Sequence, residues 1–199
     1  MPEQIRDGTG DSYLARVDGN NRLWTRSVST AEQVIANVEG AAYNINTGTI
    51  TLTNDAETPV IYLKNTGERD LSIEAIAVGL GATDGTANNP ARITVVRNPT
   101  AGTIVDNASA VAINQNRNFG SNATLTANVY KGATGNTMTG GNDYLLLYQG
   151  LSSRLFATIS TDLPRGSSIG IKVDPQTSSN TSLAVYAALI CYLRDPKED

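Results

Sequence analysis

The chain has 199 residues, of which 17% are charged, and its formal net charge is −4 at pH 7. A chain of this length forms one domain, here with an added arm, and it can bury enough surface to fold without a disulfide or a metal. Its low fraction of charged residues and its negative net charge argue against a nucleic-acid groove, which needs a basic stripe. They also argue against a polybasic membrane patch. We therefore expect no nucleic-acid partner and no membrane partner.

The sequence contains no recognisable catalytic or metal-binding motif. A catalytic thiol needs a base, but the chain has no histidine, so we expect Cys191 to be a small buried hydrophobic residue. The glycines of Gly79–Gly85 have the wrong spacing for a dinucleotide turn, and a strand follows them. We interpret the acidic pairs as solvated turn residues: Asp7 with Asp11, Asp55 with Glu57, and Glu68 with Asp70. The sequence thus predicts a protein that is not an enzyme, with no cofactor and no metal.

Residues 1–40 differ from the rest of the chain and predict an N-terminal arm. The strand-like segments Tyr13–Val17 and Arg22–Arg26 flank the turn residues Asp18–Asn21, which predicts a short hairpin. A hairpin this small cannot bury its own apolar side chains, so they must dock on another surface. That surface can be the body of the same chain or a neighbouring subunit. The candidate docking residues are Arg6, Tyr13, Leu14, Arg16, Arg22, Leu23, Trp24 and Arg26.

From residue 41 onwards, strand-like segments alternate with turn signals. This pattern predicts an all-β fold, namely an antiparallel β-sandwich that is jelly-roll-like, over residues 41–199. The segment Ser29–Val38 predicts a helical turn or a linker strand. The clearer strands are predicted at Tyr43–Ile45, Thr49–Thr53, Val60–Lys64, Leu71–Val78, Arg92–Arg97, Ala123–Lys131, Tyr144–Tyr148, Leu155–Thr161 and Ile169–Val173. Weaker strands are predicted at Gly102–Val105 and Ala110–Ile113.

The longest apolar run, Thr181–Leu193, predicts a strand around which the rest of the fold is organised. Read at period two, both of its faces are apolar, so we expect a strand that is covered on both sides. A helix is the competing interpretation, because Leu183, Ala187 and Ile190 share a helical face. Valine, isoleucine and two tyrosines favour the strand.

Several segments together resemble the small structural proteins of tailed bacteriophages. The resemblance covers most of the chain and depends on pattern more than on single residues. It is carried by Asp7–Gly10, Ala15–Leu23, Thr25–Val28, Ala41–Ile45, Ile61–Asn65, Leu71–Ile76, Ser167–Ile171 and the apolar last strand. It implies a β-sandwich protein of the virion, often trimeric, with an N-terminal arm. Such a protein is attached to the head shell as a decoration or cement protein, or to the tail.

The resemblance leads to one main expectation and one alternative. We expect a capsid decoration protein that forms a homotrimer, binds the major capsid protein, and is made in the host cytoplasm before it joins the virion. No apolar signal segment is visible near Met1, in agreement with cytoplasmic synthesis. The alternative is a tail, baseplate or fibre component that binds a host receptor or glycan. It would need an exposed aromatic or an Asp/Asn-lined pocket in loops such as Gly79–Asn89 or Gly132–Asp143.

Overall fold

In the computed structural model, most of the regular secondary structure is β-strand, with two short helices among the described residues. It describes residues 16–17, 23–24, 31–53, 56–83, 90–106, 108–111, 115–150, 152–176 and 182–194. The two helices are α1 (Glu32–Val38) and α2 (Thr103–Asp106). The strands are β1 (Arg16–Val17), β2 (Leu23–Trp24), β3 (Ala42–Asn46), β4 (Ile50–Leu52), β5 (Thr58–Asn65), β6 (Leu71–Thr83), β7 (Ala91–Arg97), β8 (Ser109–Ala110), β9 (Ala127–Lys131), β10 (Asn142–Gln149), β11 (Arg154–Leu163), β12 (Ser168–Asp174) and β13 (Leu183–Leu193).

The chain divides into two compact units, Met1–Ala31 and Glu32–Asp199. In the smaller unit β1 pairs antiparallel with β2, and Arg16 lies opposite Trp24. This is the pairing that a hairpin across Asp18–Asn21 requires. The predicted boundary at residue 40 falls after α1, whereas α1 belongs to the larger unit.

The larger unit contains two antiparallel sheets. In the six-stranded sheet the strand order is β10-β7-β12-β5-β9-β8, and in the five-stranded sheet it is β11-β6-β13-β3, with β4 also paired to β13. β3 and β4 pair with successive parts of β13, so they form one interrupted edge strand. Successive strands switch from sheet to sheet from β4 to β7 and again from β10 to β13. This order is that of a jelly roll, and the predicted all-β antiparallel sandwich is confirmed.

A single apolar core lies between the two sheets. It combines fully buried side chains of the six-stranded sheet, such as Ile61 and Ile171, with those of the five-stranded sheet, such as Ile76 and Leu189. A smaller cluster of Tyr62, Val96, Ile104 and Met138 covers part of the outer face of the six-stranded sheet. A helix of four residues has little stability of its own. The packing of Ile104 in this cluster therefore holds α2 in place.

Three local predictions have clear outcomes. The strand predicted at Gly102–Val105 is wrong, because Thr103–Asp106 forms α2 and its Ile104 packs on the outside of a sheet. The segment Ser29–Val38 contains α1, which agrees with a helical turn and not with a linker strand. The apolar run at the C-terminal end is a strand, β13, so the helix interpretation is wrong there.

Candidate interaction site

The predicted docking residues of the arm lie mostly outside the described residues. Arg16 is in β1, and Leu23 and Trp24 are in β2, so the hairpin register places Arg16 opposite Trp24. The remaining candidates lie outside the part of the chain that the structure describes, namely Arg6, Tyr13, Leu14, Arg22 and Arg26. Their docking role stays a prediction.

In the body, the side of the sandwich formed by β10 and β11 is open. β10 ends the six-stranded sheet and β11 ends the five-stranded sheet. The two strands lie on the same side, because Tyr144 of β10 and Thr161 of β11 line one cavity of about 230 Å³. Each strand pairs with one neighbour among the described strands, β7 for β10 and β6 for β11. Two sheet edges with free backbone groups are therefore presented side by side.

This side carries large apolar side chains that the body leaves exposed. On β10, Tyr144, Leu146 and Tyr148 alternate with core-facing residues and are 48%, 51% and 59% exposed. On β11, Phe156 is 64% exposed. Phe156 lies in register with Ala77 on the outside of the five-stranded sheet and belongs to a different surface. We call the three β10 residues the open edge. Scattered single apolar residues are normal on a protein surface, but a contiguous group of this kind marks an interaction site.

The core behind the open edge is only partly covered. The inward-facing side chains of β10 and β11 pack against the main core yet remain partly accessible; they are Leu145, Leu147, Leu155, Ala157 and Ile159. On the central strand β13, by contrast, the inward-facing Val185, Ala187 and Leu189 have no accessible surface. A partner on this side would complete the burial of the core as well as cover the open edge.

Charged residues beside the open edge neutralise one another. Glu57 accepts from Lys172 Nζ at 2.8 Å and from Arg92 Nη2 at 3.3 Å, and Arg92 also pairs with Asp174 at 2.9 Å. The strand register places Tyr148, Arg92 and Asp174 in one row across three strands. Since these charges are already paired, the attraction of this region for a partner comes from its apolar and aromatic side chains.

On the outside of the five-stranded sheet, the apolar residues lie along β13 and the adjacent part of β6, flanked by polar residues such as Asn44, Asn46 and Thr158. Alternate residues of β13 point away from the core and are partly exposed, including Tyr186, Ala188 and Ile190. The register places Ala77 of β6 beside Ala188 and Ala75 beside Ile190. We call these five residues the outer face. β13 was predicted to be covered on both sides, but within the described chain only its inner face is fully buried.

Helix α1 covers one end of this sheet and carries its own exposed residues. Its Ala36 is buried against Ala41 and Ala42, with Tyr192 packed beside them. Its Val34 and Val38 point outward, 50% and 72% exposed, and Phe119 is fully exposed in the loop to which α1 is hydrogen-bonded. We call Val34, Val38 and Phe119 the helix patch.

Beside the helix patch lies a cleft lined by amides. Its volume is about 680 Å³, and we call it the amide cleft; its lining residues are Asn37, Asn44, Gln115, Asn116, Arg117, Asn118, Phe119 and Ser121. Asn116 donates to the carbonyl oxygen of Gly40 at 2.5 Å, and Asn118 donates to that of Val38 at 2.9 Å. The buried Oδ1 of Asn37 has no hydrogen-bond partner among the described residues. The cleft therefore combines a hydrogen-bonded frame of amide side chains with an exposed aromatic ring.

The single cysteine is a core residue. Cys191 is fully buried, and burial raises the pKa of its thiol from 9.0 to about 12. Its Sγ lies 3.8 Å from the carbonyl oxygen of Tyr43. A protonated, inaccessible thiol is not a nucleophile, so the predicted role as a small hydrophobic residue agrees with its position.

The described residues offer neither a metal site nor a membrane-spanning helix. They contain no group of three or more His, Cys, Asp or Glu side chains placed to hold a metal ion. None of the helices found among them has the length and apolar character needed to span a membrane.

Comparison with known proteins identifies no family for this chain. Among solved structures, the chain is similar to the crystal structure of Yersinia pseudotuberculosis-derived mitogen (YPM), with 16% sequence identity and a TM-score of 0.31. The similarity covers 79% of this chain and 92% of that chain. At this TM-score it carries no argument about either fold or function. No protein-family model matches the chain, and no curated protein matches it.

The sequence contained signals for two of these surfaces that the predictions did not use. Tyr144–Tyr148 is an uninterrupted run of apolar residues, so one of its alternating faces had to lie outside the core. The amide-rich stretch Gln115–Asn118 directly precedes Phe119, an aromatic residue with no apolar neighbours in sequence. The loop Gly132–Asp143, named for the glycan alternative, is anchored on the six-stranded sheet by the buried Met138, and most of its other residues are exposed. Of the other predicted loop, Gly79–Asn89, residues 84–89 lie outside the described ranges.

Proposed function

We propose that this chain is a non-enzymatic structural protein of a tailed-bacteriophage virion, a decoration or cement protein that binds and stabilises the head shell. In this proposal it acts as a homotrimer and its partner is the major capsid protein. It is made in the host cytoplasm and ends in the virion. The resemblance of its sequence to small phage structural proteins supports the proposal.

The open edge is the observation that carries this function. A contiguous set of exposed aromatic and aliphatic residues on a well-packed sandwich suits a protein whose work is to hold other proteins. The sandwich supplies rigidity, since its core is fully buried along β13 and β6. The exposed side chains supply contacts that gain free energy only when a partner covers them.

The arm has a separate role in the proposal. Trp24 and the arginines Arg6, Arg16, Arg22 and Arg26 would dock on the neighbouring capsid or decoration subunit, with Tyr13, Leu14 and Leu23. Tryptophan and arginine are the residue types that most often dominate the free energy of protein–protein contacts. Ordering the arm upon binding costs free energy, so full affinity needs both the arm and the body.

A shell-binding experiment tests the proposal. Head shells of the cognate phage that lack the decoration protein are sedimented with the full chain, with a chain lacking residues 1–31, and with the full-length variant Trp24→Ala. We expect saturable co-sedimentation of the full chain and at least about tenfold weaker binding of the other two. Asn128→Lys, on the exposed surface of β9, is the matched control and should bind like the unmodified chain. Failure of the full chain to bind the shells would overturn the proposal.

The amide cleft favours a second candidate function, a tail or fibre component that binds a host glycan. Amide groups suit sugar hydroxyls, and an exposed aromatic ring such as Phe119 can stack on a sugar face. A glycan array probed with the full chain and with Phe119→Ala tests this function, with Phe156→Ala as the control for an exposed phenylalanine outside the cleft. Binding that only Phe119→Ala removes would support it, whereas an array without hits would exclude the glycans tested.

A further inference from the structure

We infer that the body has a binding site for an acidic oligosaccharide at the end of the six-stranded sheet where β7 ends and β12 begins. The site consists of two adjoining cavities, and each is lined by one cationic side chain that has no ion pair within the described chain. It differs from the amide cleft in its residues and in the ligand charge that it selects. The inference concerns the larger unit alone and does not depend on the virion role.

The first cavity, of about 230 Å³, lies between β10 and β11, and we call it the edge cavity. The pairing of β10 with β7 shifts between Asp143 and Leu145, which leaves Tyr144 as the extra residue. The pairing of β11 with β6 also shifts, just before Thr161. Such bulges redirect side chains at the edges of sheets. Here both irregularities fall at the edge cavity, and both Tyr144 and Thr161 line it.

A second cavity, of about 320 Å³, adjoins the first on the outer surface of the six-stranded sheet, and we call it the outer cavity. The two cavities share Asn98, Ser167 and Ser168. This common wall is held by two hydrogen bonds, because Asn98 Oδ1 accepts from the N–H of Ser168 at 2.8 Å and the N–H of Asn98 donates to the carbonyl oxygen of Ser168 at 2.9 Å. Both volumes are near the lower limit for small-molecule pockets, roughly 300 Å³, so each cavity suits one sugar residue. One elongated ligand can occupy both.

Each cavity contains a cation that no carboxylate of the described chain neutralises. Arg97 lines the edge cavity and Lys64 lines the outer cavity. Several other cations of the body are paired with carboxylates, namely Arg92, Arg117, Arg165, Lys172 and Arg194. Asp162 also lines the edge cavity, but it already pairs with Arg194 at 2.6 Å. The charge that remains available to a ligand is therefore positive, which suits an anion.

The other lining groups suit the hydroxyls and ring faces of sugars. The Nδ2 of Asn98 and the hydroxyls of Tyr144 and Ser167 have no hydrogen-bond partner in the described chain, so they can bind a ligand. The ring of Tyr144 is 48% exposed and can pack against a sugar face. The guanidinium of Arg97 can pair with a carboxylate through two parallel hydrogen bonds. An acidic oligosaccharide uses all of these groups, whereas an inorganic anion or an acidic peptide uses mainly the cations.

Isothermal titration calorimetry of the full chain with oligogalacturonate tests the inference. The methyl ester of this ligand is the matched control, because it keeps the sugar rings and loses the charge. Polyglutamate is the control for charge without sugar. We expect only oligogalacturonate to bind, and to bind more weakly at higher salt, since salt screens partly exposed charges. The inference is overturned if oligogalacturonate does not bind, or if the ester or polyglutamate binds equally well.

Substitution of each cation locates the ligand on the protein. Arg97→Gln and Lys64→Gln should each weaken the binding of oligogalacturonate at least about tenfold, because each removes one charge-assisted contact. Arg154→Gln, at the opposite end of β11, and Lys131→Gln are the matched controls and should bind like the unmodified chain. Phe119→Ala should also leave binding unchanged, which separates this site from the amide cleft. Circular dichroism checks that all variants are folded. Unchanged binding by Arg97→Gln and Lys64→Gln, or equal weakening by the controls, would contradict the proposed site.

Discussion

Thr47 holds together the edge strand that pairs with β13. It lies between β3 and β4, is almost fully buried, and uses its side chain in place of a regular strand bond. Its Oγ1 accepts from the backbone N–H of Ala187 at 3.0 Å and donates to the carbonyl oxygen of Gly48 at 2.8 Å. The short insertion of Gly48 and Thr49 therefore interrupts the strand without leaving a buried donor unpaired.

Replacement of Thr47 by valine should be destabilising, although valine has nearly the same shape. The buried N–H of Ala187 would lose its acceptor, which costs about 1–3 kcal/mol. Thr47→Ser keeps the hydroxyl and should cost clearly less, so it is the control. Urea denaturation measures both free energies of unfolding. A larger loss for Thr47→Ser than for Thr47→Val would mean that the methyl group, and not the hydrogen bond, matters at this position.

Cys191 should make the protein less stable at alkaline pH. Burial raises its thiol pKa from 9.0 to about 12, so between these values the unfolded chain releases a proton that the folded chain keeps. Ionisation then favours the unfolded state. The contribution of the protonated thiol to the free energy of unfolding is complete below pH 9 and is lost as the pH approaches 12. Between these two pKa values, the free energy of unfolding falls by about 1.4 kcal/mol per pH unit.

The measurement compares the unmodified chain with Cys191→Ala by urea denaturation at several values from pH 8 to pH 11. Burial also raises the pKa values of Tyr43 and Tyr62, so both proteins lose stability above pH 10. Only the difference between the two proteins in the slope of unfolding free energy against pH measures the ionisation of the Cys191 thiol. Parallel curves would contradict a buried, protonated Cys191.

At the scale of the element, α1 is part of the body and not of the arm. Its Glu32 pairs with Arg194 at 3.2 Å, and its Gln33 donates to Glu74, which also pairs with Arg117 at 3.4 Å. Together with the burial of Ala36, these contacts fix the helix across the end of the five-stranded sheet. A helix of this length has little stability of its own, so its position depends on this packing.

Two truncations separate the helix from the arm. Removal of residues 1–31 should leave the melting temperature within about 2 °C of the full chain, because the larger unit keeps its whole core. Removal of residues 1–40 also removes α1 and uncovers Tyr192 and Ala42. We expect this second chain to remain folded but to melt roughly 4–8 °C lower, as a loss of about 2 kcal/mol implies for a domain of this size. Differential scanning calorimetry measures both, and equal melting temperatures would show that α1 contributes nothing.

The sequence pattern correctly predicted the strands that have one face in the core and the other face outside it. Alternation predicted β6, β11 and β13 because one face of each packs in the core. It failed at Gly102–Val105, where β-branched residues suggested a strand but Ile104 packs on the outside of a sheet within α2. It also could not separate the open edge from the core, since Tyr144–Tyr148 is apolar on both faces. Which face is buried is decided by neighbours distant in sequence.

At the scale of the whole molecule, strand order was the property least accessible to sequence. The jelly roll joins β3 to β13 and β5 to β12, pairs that are separated by most of the chain. Turn residues and periodicity specify local structure, whereas these pairings arise from the packing of two sheets around one core. The amide cleft has the same origin, because α1, β3 and the loop at Phe119 meet only in the folded protein.

The two ends of the body lie side by side, which permits a circular permutation. Glu32 and Arg194 are joined by their ion pair, so a short Gly-Ser linker can connect them. New ends can be placed after Gly135, an exposed turn residue with open space around it. We expect this permuted body to unfold cooperatively, within about 10 °C of the body in its natural order. A control opened inside β6, after Ala75, should not fold, and cooperative folding of that control would contradict the central role of β6.

The position of β13 in the chain determines when the five-stranded sheet can form during synthesis. This strand lies in the middle of the five-stranded sheet, yet the ribosome makes it after every other strand of the sandwich. Until it emerges, β6 lacks a neighbour on one side, and neither β3 nor β4 has a partner in the sheet. The apolar outer face does not exist before that moment either. A chain interrupted during synthesis therefore cannot close the core between the two sheets, and only a finished chain forms the rigid sandwich.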